Sequence, residues 1–148
     1  MGVIVLPPSG PAYADASAVI YAIERIEPYY SAGLPLWDAL DAGTQQVVTS
    51  ELTVLEVLVK PLRDGDLALA DLYRQVLLAT TNLFCRPISL AVLERAALIR
   101  AQQRLRAPDA IHAAEALESG CSIFVTNDPD FSRVPGLSVA VLGDIAAN

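Results

Sequence analysis

Short apolar runs alternate along this chain with stretches whose apolar positions recur every three to four residues. That pattern predicts strands alternating with helices, and hence an α/β domain with a mostly parallel sheet flanked by helices. Residues 11–14 read as a first strand ending against Asp15. Ser17 can cap a helix to about residue 27, with Val19, Ile20, Ile23 and Ile26 on its buried side and Pro28 as its stop. Residues 34–42 read as a short helix closed by Gly43, and residues 46–49 as the second strand. Ser50 caps a helix to about residue 60, which Pro61 ends. Another helix spans about residues 66–80, with Leu69, Leu72, Tyr73 and Val76 at i, i+3, i+4 and i+7. Residues 83–88 form a third strand, placed at a sheet edge because Pro87 has no N–H for the ladder. Ser89 caps a helix to about residue 103. Pro108 suits the first turn of the next helix and Gly120 the position beyond its end. Ala110, Ala113, Ala114 and Leu117 give that helix a stripe of small residues for close packing. Residues 122–126 and 137–142 are the last two strands. Two helices thus separate the third strand from the fourth. A simple antiparallel pairing of them would start Asp109's helix at the wrong edge, so residues 103–107 must bring the chain back.

Length turns this pattern into a single domain over residues 1–148, with residues 1–10 as a short leader. A chain of this size buries roughly 70% of its unfolded surface and needs no staple to fold. Apolar residues are 53% and charged residues 18%, which excludes a disordered composition. Formal net charge is −7, so there is no general electrostatic attraction to nucleic acid. Handling a phosphate backbone would need a local reversal of sign, which a bound dication supplies. Cys85 and Cys121 have no metal-ligand spacing and read as reduced core thiols. The apolar run Val3 to Leu6 is too short for a signal peptide, and no segment is apolar enough for a membrane span. The expected location is cytoplasmic, with no membrane partner.

The candidate chemistry lies in four of the 17 acidic residues. Asp15 follows directly on the first strand and Asp128 lies just past the fourth. Ligands of open parallel sheets bind beyond the carboxyl ends of the strands. Glu56 stands among Leu52, Val54, Leu55, Val57, Leu58 and Val59, a helix apolar nearly all round and therefore read as buried. A carboxylate there must be paired, protonated or on a metal. Asp109 sits in the first turn of the small-residue helix. Singly, Asp109 has an ordinary reading as favourable charge at a helix N-terminus, and Glu56 as an arginine partner or an exposed stripe. Together, three or four carboxylates in one cleft repel unless a dication neutralises them. All-oxygen donors favour Mg²⁺ or Mn²⁺, which would polarise a phosphoryl oxygen, activate a water and orient an in-line attack.

The segments Tyr13-Ala14-Asp15-Ala16-Ser17-Ala18-Val19-Ile20, Thr49-Ser50 with Glu56 downstream, Ala107-Pro108-Asp109-Ala110-Ile111-His112-Ala113-Ala114, and Val125-Thr126-Asn127-Asp128-Pro129-Asp130-Phe131 resemble the four motifs of the PIN domain. More closely, the chain is similar to the VapC toxins of bacterial type II toxin–antitoxin pairs. The resemblance covers residues 13–142 and rests on four motifs in order. It implies a five-stranded parallel sheet in order 3-2-1-4-5 with the acids in a groove at its carboxyl edge. It also implies a Mg²⁺- or Mn²⁺-dependent endoribonuclease, inhibited by a cognate antitoxin and usually a homodimer. Asp15, Glu56, Asp109 and Asp128 then take the catalytic and metal-binding positions, with Ser17, Thr126, Asn127 and Asp130 as supporting positions. The leader before the first strand is longer than the family usually has. Glu51 lies five residues from Glu56, and at roughly 100° per residue the two point apart.

Several residues keep two readings. His112, the only histidine, is either a proton shuttle or a structural residue. Asp130 is either a further metal ligand or a loop residue making an Asx-turn. Ser17 and Thr126 either orient carboxylates or water, or, for Ser17, simply cap a helix. Trp37, Tyr29 and Tyr30 either stack on RNA bases or pack a helix or dimer interface. At the level of the whole chain, the alternative to a nuclease is a catalytically weak or inactive module of the same fold that acts through partner binding. A phosphoacceptor domain is set aside, because it needs paired acids near the first strand and a late lysine, and no lysine follows Lys60.

Overall fold

The computed structural model describes residues 1–148. Strands β1 (Ala12–Ala14), β2 (Val47–Ser50), β3 (Leu83–Arg86), β4 (Ile123–Thr126) and β5 (Val139–Val141) form one parallel sheet in the order β3-β2-β1-β4-β5. This is the order the resemblance implied, and β3 is an edge strand as expected, but it ends at Arg86, so that Pro87 lies beyond it and not inside it. The register sets Ala12 beside Val47 and Ile123, and Ala14 beside Val125. The central strands therefore end nearly level, which brings Asp15 and the loop after Thr126 together.

β1, β2 and β4 are buried throughout, because helices cover both faces. The two-residue alternation splits the core. Ala12, Ala14, Val47 and Val125 face one apolar cluster, which contains residues of α1 (Ala16–Ile23), α2 (Tyr29–Asp41), α3 (Glu51–Asp64) and α4 (Leu67–Ala79). Tyr13, Val48 and Phe124 face the other, with α5 (Leu90–Gln102) and α6 (Ala107–Glu118). Tyr13 stacks on Phe124 with ring centroids 5.0 Å apart. The leader joins the first cluster: Ile4 is buried and donates its N–H to Ala32 O.

Ser50 and Ser89 cap α3 and α5 through their side chains, as their sequence positions suggested, and Asp66 caps α4 in the same way. Ser17 does not cap α1. Asp15 does, accepting from Ala18 N, and α1 ends at Ile23 with Arg25 left-handed just beyond. α2 begins earlier than expected, at Tyr29, and runs through Pro35. α3 likewise continues through Pro61 and closes at left-handed Gly65. A proline inside a helix costs about 3 kcal/mol. Pro61 is buried, and its packing offsets that cost. α3 is not enclosed: Leu55, Val59 and Leu62 form an exposed apolar stripe. A 3-10 helix (Pro129–Arg133) and α7 (Leu142–Ala147) were not expected; the apolar run at 137–142 looked like one strand. No helix is long and apolar enough to cross a membrane.

α5 and α6 do pair antiparallel. Arg95, in the first half of α5, bonds Glu118 at the end of α6, and Arg100 bonds the Leu105 carbonyl just before α6. Asp109 still starts at the carboxyl edge. The end of α6 must lie near the amino edge, where β4 begins, so its first turn lies at the other.

Candidate active site

Asp15 stands where β1 ends and α1 begins, and it is only 6% exposed. Its Oδ1 accepts from Ser17 Oγ at 2.7 Å and from Ala18 N at 3.1 Å. Its Oδ2 accepts from Thr126 Oγ1 at 2.5 Å. Burial pushes this carboxyl above its ordinary pKa, against the lowering by Thr126 and Ser17. No lysine or arginine pairs with it. Thr126 and Ser17 thus orient the Asp15 carboxylate. Ser17 Oγ also accepts from Asn127 N at 3.1 Å, and Thr126 Oγ1 from Asp128 N at 3.0 Å. The two hydroxyls therefore tie Asp15 to the loop after β4.

Glu56 lies in the second turn of α3, with its side chain 30% exposed, and it is paired. Its Oε1 is 2.5 Å from His112 Nε2, and His112 Nδ1 is 2.6 Å from Tyr13 OH. His112 and Tyr13 are both buried. The sequence offered a signal for this contact. Glu56 and His112 are each a polar residue inside an otherwise apolar or small-residue helix face, and two such residues can satisfy one another.

Asp109, in the first turn of α6, has Oδ2 3.3 Å from Nε of Arg106, a partner that its i, i+3 spacing could have suggested. The Arg106 side chain is 82% exposed, so this pair adds little stability. Asp128 caps the 3-10 helix by accepting from Asp130 N at 2.9 Å. The Asx-turn expected of Asp130 is therefore made by Asp128, while Asp130 is exposed and pairs with Arg133 at 2.8 Å. Asn127 braces the site: Nδ2 donates to Tyr21 OH at 3.0 Å and Oδ1 accepts from Gly143 N at 2.8 Å. A Cβ at Gly143 would come within 2.8 Å of that Oδ1, so the close approach requires glycine. The aromatic residues pack rather than stand free: Tyr29 stacks on Tyr21 at 4.4 Å, and Trp37 lines a groove between α1, α2 and α4.

The four acids thus occupy one edge of the sheet, at the ends of β1 and β4 and in the opening turns of α3 and α6. Their donors are all hard oxygens, which fits Mg²⁺ or Mn²⁺ and not a thiolate-seeking ion. No three acidic, histidine or cysteine side chains stand close enough to form a ready-made cage.

A family model described as PIN domain matches residues 12–137. By sequence, no curated protein matches the chain. Among solved structures it is similar to a toxin–antitoxin complex from Klebsiella pneumoniae, at 24% identity and TM-score 0.65, covering 88% of this chain and 97% of that one. It is also similar to DNA-bound VapBC from Salmonella typhimurium, at 17% identity and TM-score 0.67, covering 90% and 99%. A third is a VapC of Mycobacterium tuberculosis that cleaves the sarcin-ricin loop, at 18% identity and TM-score 0.66, covering 82% and 92%. Likeness at these identities shows a shared fold.

Proposed function

This chain belongs to the PIN domain family, and from that premise we propose that it is a Mg²⁺- or Mn²⁺-dependent endoribonuclease acting as the toxin of a toxin–antitoxin pair. The observation that carries this reading is Asp15, a buried carboxylate held on both oxygens by three donors and paired with no cationic side chain. Such an arrangement suits a ligand whose direction is set in advance and whose counter-charge comes from outside. Asp15, Asp109 and Asp128 would hold the ion, with Glu56 beside them. When bound, the ion supplies charge to a phosphoryl oxygen and lowers the pKa of a water. Ser17 and Thr126 keep the Asp15 oxygens aimed. Glu56 Oε2 makes no hydrogen bond and is free to take a proton from the attacking water.

A cognate antitoxin is the proposed inhibitor. An apolar segment would fit the groove lined by Ala22, Ile23, Trp37 and Val76, whose rim carries Asp38 and Asp41. A basic side chain, preferably arginine, would enter the acids and pair as Arg106 already pairs with Asp109. Antitoxin affinity should therefore weaken across a Mg²⁺ series at constant ionic strength, and in Asp109→Asn. The exposed stripe Leu55, Val59 and Leu62 is the proposed homodimer surface.

The test is an RNA cleavage assay with added Mg²⁺ or Mn²⁺, with chelator, and with Asp109→Asn. Cleavage should require the ion and disappear in the variant. Cleavage that persists in chelator would remove the mechanism. A second reading, a partner-binding module with little catalysis, is favoured by the acids not being drawn into a cage. It predicts antitoxin binding with no cleavage under any condition.

A further inference from the structure

We propose that His112, fixed in turn by Tyr13, is the positioning residue for Glu56. The donor chain from the core holds Glu56 Oε1 and leaves Oε2 for the acidic groove. The inference rests on the reading of that groove given above. Glu56, His112 and Tyr13 come from α3, α6 and β1. The helices α3 and α6 belong to opposite layers, so this chain ties the two layers together beside the acids.

Counting protons gives the chain a direction. Tyr13 is buried, and its hydroxyl has one hydrogen-bond partner, His112 Nδ1. A phenol carries one proton at ordinary pH, and a buried donor left without an acceptor is costly. The hydroxyl therefore donates, Nδ1 accepts, and the ring is the neutral tautomer with its hydrogen on Nε2. That N–H then donates to Glu56 Oε1. With both ring nitrogens protonated, the phenol would have to accept, and its own proton would face no acceptor. The ring is also held edge-on to Tyr13, with centroids 5.8 Å apart. A glutamate side chain loses considerable rotamer freedom when fixed. A buried, immobile donor is what selects one of its orientations, as an outer partner does for a metal-binding group. This is neither of the two readings open from the sequence. His112 is buried like a structural residue, yet it acts on a site carboxylate.

Because the chain has a single histidine, its ¹⁵N imidazole spectrum reports His112 alone. Wild type without metal should show the Nε2–H tautomer, and Tyr13→Phe should lose that preference. A dominant Nδ1–H tautomer in wild type overturns the proposal. Mn²⁺ calorimetry is the second readout. His112→Leu should weaken binding about tenfold or more, within the range for outer-shell partners. His112→Gln keeps a donor at the Nε2 position and should recover most of the affinity. Tyr13→Phe is the milder variant if His112→Leu does not fold, and it should weaken binding less. Folded His112→Leu or Tyr13→Phe that binds Mn²⁺ like wild type also overturns the proposal. If wild type binds no Mn²⁺, the nuclease reading fails instead, and the tautomer alone decides the donor chain.

Discussion

Asp15 and Glu115 are both buried carboxylates, and the fold treats the two differently. At the carboxyl edge, Asp15 is 6% exposed and both of its oxygens accept hydrogen bonds, from Ser17, Ala18 and Thr126. In the second half of α6, Glu115 is 4% exposed; Ser119 reaches one oxygen, and Oε1 has no partner. Burial raises the pKa of both. Neither depth nor a raised pKa therefore distinguishes the two. Their surroundings do. Asp15 shares its edge with Glu56, Asp109 and Asp128, and its donors come from separate elements, so its direction is over-determined. Glu115 hangs on a hydroxyl four residues along its own chain, and Arg86 partly relieves its charge.

The largest difference between the two acids should lie in catalysis. Asp15→Asn and Asp109→Asn should each lose at least about a hundredfold in RNA cleavage, beyond the usual effect of an outer partner. Both should stay folded without metal, since Asp15→Asn removes a buried charge and keeps an oxygen for the Ala18 cap, and Asp109 has only an exposed partner. A variant that unfolds would make that acid structural. Thr126→Val should cost roughly 10–100-fold in Mn²⁺ affinity and about 1–3 kcal/mol of stability, because Asp15 and the Asp128 N–H both lose a partner. Calorimetry and thermal melts check both, and Ser119→Ala beside Glu115 should leave Mn²⁺ affinity alone.

Glu115→Gln sharpens the contrast with a pH dependence. The native state holds the Glu115 proton more tightly than the unfolded chain does. The cost of its charge is therefore absent at acid pH and appears as pH rises through the raised pKa. The variant should be more stable than wild type near neutrality by roughly 1 kcal/mol. The gap should close as pH falls toward the ordinary glutamate range, and cleavage should stay unchanged. The smallest effect belongs to Arg106→Ala. Freeing Asp109 from an exposed pair is worth at most about 1 kcal/mol, so Mn²⁺ affinity should rise by less than about fivefold.

The strands were legible because they depend on local signals, short apolar runs and caps such as Ser50 and Ser89, and the positions of Asp15 and Asp128 followed from where the strands end; the strand order came only from the resemblance to the PIN domain. Pro61 misled as a stop, since tertiary packing can hold a proline inside a helix. The cap at α1 went to Ser17 in place of Asp15, because the two stand two residues apart and only geometry shows which oxygen meets Ala18 N. The apolar residues of α3 suggested complete burial, but sequence does not show that Leu55, Val59 and Leu62 lack a covering layer. The Tyr13–His112–Glu56 chain joins residues 99 and 56 positions apart: Glu56 and His112 each stand out locally as polar among apolar or small neighbours, but no local pattern pairs them.

Mn²⁺ calorimetry on wild type, Asp15→Asn and Glu115→Gln, with cation and ionic strength otherwise matched, tests the central claim most directly. Wild type and Glu115→Gln should bind alike, and Asp15→Asn should lose binding while staying folded. Equal affinity in Asp15→Asn and wild type, or no binding by wild type, would contradict the assignment of the carboxyl edge as the metal-dependent active site.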